Sequence, residues 1–415
     1  MNAKRPELVD QSIWWHIYPL GACGAPIREA REPGRRLPIL ANWLDYAVDL
    51  GATGLLLGPI FQSTSHGYDT TDYFRIDDRL GTDEDFDALV AGCRERGLRL
   101  LLDGVFSHAG SEHPLLARAL EEGRDSWAGR LFHIDWDTEG GPYPWFFEGH
   151  SDLVRFDHSH EEAIAYVSDV MRHWLARGID GWRLDAAYSV PNGFWREAIG
   201  RTREEFPDAF FLGEVIHGDY AGIVAESDMN TVTEYELWKS IWSSICEKNF
   251  FELDWTMRRH QDLLAAFVPQ TFVGNHDVTR IATTLGTEGA IAAATILFTV
   301  GGMPSVYYGD EQGFTGTKEQ RAGGDDEVRP PLPTTPAELS TLGAGMFATY
   351  RELIALRRAR PWLTGASTEA LMLQNEHYRY RTSIGSDAIE VDIDISGATP
   401  RISIDEGGAV LWSRG

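Results

Sequence analysis

Eight short apolar runs recur along this 415-residue chain, most of them followed by a stretch with helical periodicity. No other feature constrains the fold as much. A strand that returns through a helix must lie parallel to the next strand, with a right-handed crossover. The runs fall at residues 13–19, 53–59, 98–103, 178–188, 210–214, 232–236, 271–275 and 305–308, the sixth being the weakest. Helices are expected at 39–50, 83–96 and 161–177; the last aligns Tyr166, Val167, Val170, Met171, Trp174 and Leu175 on one stripe. Eight such units over roughly 350 residues predict an α/β fold of the (β/α)8 TIM-barrel type, with insertions beyond the usual ~250 residues. A doubly wound open sheet is the alternative, but no glycine-rich phosphate fingerprint follows the first run.

Two segments break the alternation. Residues 108–159 are rich in Gly, Asp, Trp and Pro without clean periodicity, and 313–336 form a second irregular loop. After Arg360 and Pro361, the runs 371–374, 378–382, 389–395 and 401–404 alternate at period two, as half-buried strands do. The expected organisation is a barrel over 1–108 and 160–362, an inserted subdomain over 109–159 after the third strand, and a small C-terminal all-β domain over 363–415.

Composition narrows the partners. A formal net charge of −26 argues against nucleic acid or an anionic membrane, both of which reward a basic surface. Cys23, Cys93 and Cys246 are odd in number and lack metal-ligand spacing, which points to structural thiols in a reducing compartment. Residues 1–10 hold no apolar signal region, and no run approaches transmembrane length; the expected location is cytoplasmic.

Polar groups at the C-terminal ends of the strands are where a barrel of this kind holds its chemistry. The third strand ends at Asp103, five residues before His108, and the fourth at Asp185; the fifth ends at Glu214, and the seventh leads into His276 and Asp277. On the fourth strand Gly181, Arg183 and Asp185 share one face, opposite Trp182 and Leu184. A guanidinium two residues from Asp185 on the same face favours its ionised form, as a nucleophile requires. The apolar neighbours of Glu214 (Phe210, Phe211, Leu212 and Val215) suit a general acid that must hold its proton. Paired carboxyls of this kind carry out glycoside hydrolysis.

Taken together, four segments resemble the signature regions of the α-amylase family of glycoside hydrolases, family thirteen: 103–108, 181–187, 213–215 and 274–277. Residues 66–73 resemble the family's segment after strand two, and 307–311 its strand-eight signature, so the resemblance covers about 13–360. It is nearest to members of the neopullulanase and cyclomaltodextrinase types. The resemblance implies that Asp185 is the nucleophile, Glu214 the acid/base and Asp277 the transition-state stabiliser. It implies substrate binding by Tyr68, His108, Arg183 and His276, and a sugar-end contact by Asp325 and Arg329. The aromatic run Trp145, Phe146 and Phe147 is read either as groove lining or as the insertion's own core.

Two departures stand out. Ser107 occupies a position where the family usually has asparagine, often a calcium ligand; a hydroxyl is a poorer ligand for a hard cation, so no cofactor is expected and a structural calcium is disfavoured. Tyr188 and Ser189 replace a common lysine–histidine pair on the leaving-group side, which disfavours long starch chains. The expectation is a retaining hydrolase of α-1,4-glucosidic bonds in malto-oligosaccharides, cyclodextrins or related α-glucans. Its rivals are a transglycosylating or isomerising enzyme acting on sucrose or trehalose, and a non-catalytic binding protein.

Overall fold

The computed structural model describes residues 11–321 and 323–415; the expectation for residues 1–10 lies outside the described residues. Eight strands form where the apolar runs predict them: Trp14–Ile17, Gly54–Leu57, Arg99–Gly104, Gly181–Leu184, Phe210–Gly213, Thr231–Val232, Gln270–Phe272 and Met303–Tyr307. Counted from first to eighth, they pair in the order sixth, fifth, fourth, third, second, first, eighth, seventh. A parallel bridge between Thr233 and Gln270 follows the sixth strand. This is the expected (β/α)8 barrel class. The strands read as continuous apolar runs because both faces are covered: every residue of the first, second, fourth, fifth and eighth strands is buried.

The described chain divides into two compact units. The first comprises Tyr18–Leu44 and Leu56–Val232. In it the third, fourth, fifth and sixth strands pair in parallel, with Arg183 beside Asp103 on one side and Leu212 on the other. Helix Asp83–Glu95 starts from a reciprocal cap, in which Thr82 accepts from the Asp85 N–H and Asp85 accepts from the Thr82 N–H. Helix Glu161–Ala176 buries Val167, Val170, Met171, Trp174 and Leu175, and the Trp174 indole donates to the Tyr73 carbonyl at 2.8 Å. The helix expected over 39–50 is two, Leu37–Ala41 and Leu44–Leu50. The segment without sequence periodicity is more regular than its pattern: it holds helix Pro114–Glu122, with proline at its first position, and an antiparallel sheet of His108–Gly110, His150–Arg155 and Phe146–Phe147.

The second unit comprises the described residues up to Ile17, Asp45–Leu55 and Thr233–Gly415. Its first, eighth and seventh strands pair in parallel. One expectation needs correction here. Helix Ile281–Thr299 is long and apolar enough to pass for a membrane span, although no such run was anticipated. Its apolarity has another cause: Gly286 breaks the helical backbone at φ 68°, and every residue from Gly289 to Thr299 is buried. The C-terminal sheet has five antiparallel strands, Ser367–Leu373, His377–Ile384, Asp387–Asp394, Arg401–Glu406 and Ala409–Arg414, the last not anticipated. Tyr378 and Tyr380 anchor it, the first donating to Asp254 at 3.1 Å and the second meeting the Thr299 hydroxyl at 2.6 Å.

Gly181 is where the sheet tolerates no side chain. A Cβ there would lie 2.0 Å from the carbonyl oxygen of Phe210 and 2.8 Å from its backbone nitrogen, on the neighbouring strand. Gly181→Ala is therefore expected to destabilise the fold by about 2–3 kcal/mol. Urea denaturation checks this, and an unchanged midpoint would show that the fourth and fifth strands can spread.

Candidate active site

The fourth and fifth strands place their terminal carboxylates by extending the ladder one residue beyond the regular strand. The Asp185 N–H donates to the Gly104 carbonyl at 3.1 Å, and the Glu214 N–H donates to the Leu184 carbonyl at 2.9 Å. Trp182 packs among aromatic rings, its ring centre 5.5 Å from Phe106 and 6.0 Å from Phe61. Arg183 takes the opposite side and is only 3% exposed.

Its guanidinium is shared more widely than the sequence indicates. One terminal nitrogen lies 2.6 Å from Asp103 and 3.3 Å from Asp185, and the other lies 2.7 Å from Glu214. The expected partner, Asp185, has the longest of the three contacts. Burial opposes the charge on Arg183, but Asp103 and Glu214 outweigh it and raise the arginine's pKa. Complete burial pushes the Asp103 carboxyl up to about 6, against the pull of Arg183. Glu214 also departs from its expected apolar setting, since it accepts the Ala186 N–H at 3.0 Å. Ala186 reaches that position with φ 43°, a left-handed conformation that costs a non-glycine residue about 1–2 kcal/mol.

Tyr68 is half-buried and donates to Asp103 at 3.3 Å. His108 is 1% exposed, and burial lowers its pKa to about 3. Its Nε2 faces the Tyr68 carbonyl at 3.0 Å, an acceptor, so Nε2 carries the proton and Nδ1 accepts from the Ser107 hydroxyl at 2.7 Å. Phe147 stacks on the same imidazole, with centroids 4.6 Å apart. The aromatic run thus has two fates, because Trp145 is half exposed and meets His133 at 5.0 Å. Ser107 is turned to His108, and among the described residues no three His, Cys, Asp or Glu side chains converge as metal ligands.

The other expected residues gather in the second unit. His276 is fully buried, with Nε2 3.0 Å from one Asp277 oxygen and its ring edge-on to His16 at 5.0 Å. Arg329 lies 2.9 Å from the other Asp277 oxygen and donates through Nε to the His276 carbonyl at 2.9 Å. Asp325 holds Arg329 at 3.1 Å and pairs with Lys318. Backbone room for this turn comes from Gly274, where a Cβ would come 2.3 Å from the Asp310 carboxylate.

Sequence reasoning did not put Asp103 among the site residues. What marks it, the parallel register that sets a buried acid opposite Arg183, exists only in the folded sheet. Glu148 carries no comparable signal, because its hairpin is too short to show a period.

The chain belongs to the alpha-amylase catalytic-domain family, which it matches over residues 39–334. It is 29% identical to a cyclomaltodextrinase of Geobacillus thermopakistaniensis (strain MAS1) over 99% of its own length and 73% of that protein's. It is 31% identical to a maltogenic alpha-amylase of Bacillus acidopullulyticus over 87% of its length and 64% of that protein's. Among solved structures, a cyclic alpha-maltosyl-(1→6)-maltose hydrolase from Arthrobacter globiformis superposes with a TM-score of 0.82 and 25% identity, covering 99% of both chains. The chain spans about two thirds to three quarters of the two curated relatives.

Removing Arg183 tests how the cluster is held together. Arg183→Met leaves three buried carboxyls without their cation, which should cost about 3–5 kcal/mol near pH 7.5. Loss of the cation removes the pull that opposes burial at Asp103 and raises its folded-state pKa further. Such groups favour the folded state below their unfolded pKa, and that contribution is lost as pH rises through the folded value. The deficit should therefore shrink toward about pH 4.5, below the value near 6 that Asp103 already has. Urea denaturation at both pH values checks this; an equal deficit at both would show that packing, not charge, is what Arg183 supplies.

Proposed function

We propose that this chain is a retaining α-glycoside hydrolase that cleaves α-1,4-glucosidic bonds in malto-oligosaccharides, cyclodextrins or related α-glucans. The observation that carries the reading is the pair of carboxylates, Asp185 and Glu214, held on the two terminal nitrogens of one buried guanidinium. Retaining enzymes need their carboxyls about 5–5.5 Å apart, and inverting enzymes a wider gap that admits water between them. Two carboxylates bonded to one guanidinium support the shorter spacing. The names of the relatives support the substrate class.

In the proposed reaction Glu214 protonates the glycosidic oxygen while Asp185 attacks the anomeric carbon, giving a β-linked glycosyl-enzyme. Glu214 then takes a proton from water, the water oxygen attacks the same carbon, and Asp185 leaves, so the product has the α configuration. Arg183 keeps both groups in place and stabilises the Asp185 carboxylate when it departs. Asp277, held by Arg329 and His276, has the role of stabilising positive charge on the sugar ring. Neutral His108 fixes the Tyr68 backbone, which presents the phenol ring to the sugar. All of these steps run on side chains, and the reading assigns no cofactor. The three free cysteines, Cys23 and Cys93 among them buried, support a cytoplasmic location.

The test is turnover of maltotriose. Asp185→Ala and Glu214→Gln should each lower kcat by about 10²–10⁴-fold, and NMR of the fresh product should show the α anomer first. Activity within about tenfold of wild type in either variant would end the assignment. Sugar transfer to added glucose, in place of release to water, would move the reading to a transglycosylating enzyme.

A further inference from the structure

The inserted hairpin reaches the site with two consecutive residues. Phe147 stacks on His108, and Glu148 accepts a hydrogen bond from the Tyr188 hydroxyl at 2.9 Å. Glu148 and Gly149 form the two-residue turn between Phe146–Phe147 and His150–Arg155, both with positive φ, 49° and 82°. A turn of that hand favours Asn-Gly, Asp-Gly or Gly-Gly, and glutamate at its first position is strained. The hydrogen bond to Tyr188 does not explain why glutamate is there. Glu148 is exposed to solvent, where such a bond contributes little to stability. Strain retained without a gain in stability is a mark of function.

Tyr188 indicates which function. It follows Asp185 by three residues, and its ring lies 5.8 Å from His217, three residues beyond Glu214. Partial burial, then the carboxylates of Glu148, Glu214 and Asp185 in falling order, hold its phenol protonated. Its contact with His217, on the segment that follows the proposed acid Glu214, sets Tyr188 on the flank of that acid, the side where the leaving group departs.

We propose that Glu148, held by Tyr188, is a specificity-determining residue that recognises the hydroxyls of the sugar on the leaving-group side. The inference rests on the glycosidase reading. A carboxylate presents two acceptor oxygens to neighbouring ring hydroxyls, and the phenol can both donate and accept. In the free protein, the Tyr188–Glu148 bond occupies positions that a sugar hydroxyl takes over. A leaving group without hydroxyls gains nothing from the pair.

The experiment compares two substrates with the same maltosyl donor, maltotriose and p-nitrophenyl α-maltoside, in wild type, Glu148→Gln, Tyr188→Phe and the double variant. The readout is the ratio of kcat/KM for maltotriose to kcat/KM for the aryl glycoside. That ratio is expected to fall by about fivefold or more in each single variant, with the double variant falling no further than the larger single effect. A purely structural role would lower both rates together and leave the ratio alone. A smaller change in both single variants overturns the proposal, and thermal melts establish that each variant is folded. If the wild type turns over neither substrate, the glycosidase reading fails; if it turns over both and the variants keep its ratio, this inference alone fails.

Discussion

The guanidinium of Arg183 is the interaction on which the rest of the first unit's chemistry depends. One cation is buried among three carboxyls, Asp103, Asp185 and Glu214. At about 4 Å and an effective dielectric near 20, each ion pair gains about 4 kcal/mol, whereas burying an unpaired ion costs several. One cation cannot neutralise three acids, so the balance must be met by protonation. Asp103 shows where: it has the closest contact to Arg183 and is still raised to about 6, because it is completely buried. Burial therefore drives the carboxyl deepest in the sheet toward its protonated form. That leaves more of the guanidinium's field for Asp185 and Glu214, the two groups at the strand ends.

Such an arrangement requires the sheet to be rigid at this place. Gly181 lets the fourth and fifth strands approach too closely for any side chain between them, and the ladder runs on through Asp185 and Glu214. The carboxylates are thus set by backbone hydrogen bonds as well as by their cation. Asp277 is placed by a different device. The Asp277 N–H donates to the Asn275 side chain, and its two oxygens meet His276 and Arg329, so a turn and a folded-back loop position it in place of a strand. Arg329 is 6% exposed and directed at Asp277 and the His276 carbonyl.

The barrel strands were legible because both their faces are buried, which makes most of them short apolar runs bounded by turns. The same logic explains what escaped. Helix Pro114–Glu122 is half solvated and sits in a segment crowded with Gly, Asp and Trp, so its period is obscured. Strand Ala409–Arg414 ends the sheet with no fully buried residue, and a strand without a buried face does not alternate. Asp185 and Glu214 at the strand ends could be named from the chain alone, but the division of Arg183 could not. The partner two residues away on the same strand is visible in sequence, whereas Asp103, 80 positions earlier, becomes a neighbour only through the parallel register.

Backbone strain separates the ordinary turns from the unusual ones. Four non-glycine residues among those described have positive φ: Glu148, Ala186, Asp228 and Lys248. Asp228 caps the helix Tyr220–Ser227, and Lys248 lies just beyond Tyr235–Cys246, both places where a left-handed residue normally ends a helix. Ala186 and Glu148 end no helix. Ala186 turns the chain so that its N–H reaches Glu214, and Glu148 turns the inserted hairpin so that its carboxylate reaches Tyr188. In both cases the strained residue delivers one polar group to a partner within three residues of Asp185 or at Glu214 itself. Relaxing either turn would remove that group from the site without opening the core, so the strain is confined to the two places where the polypeptide must depart from its preferred path to line the site.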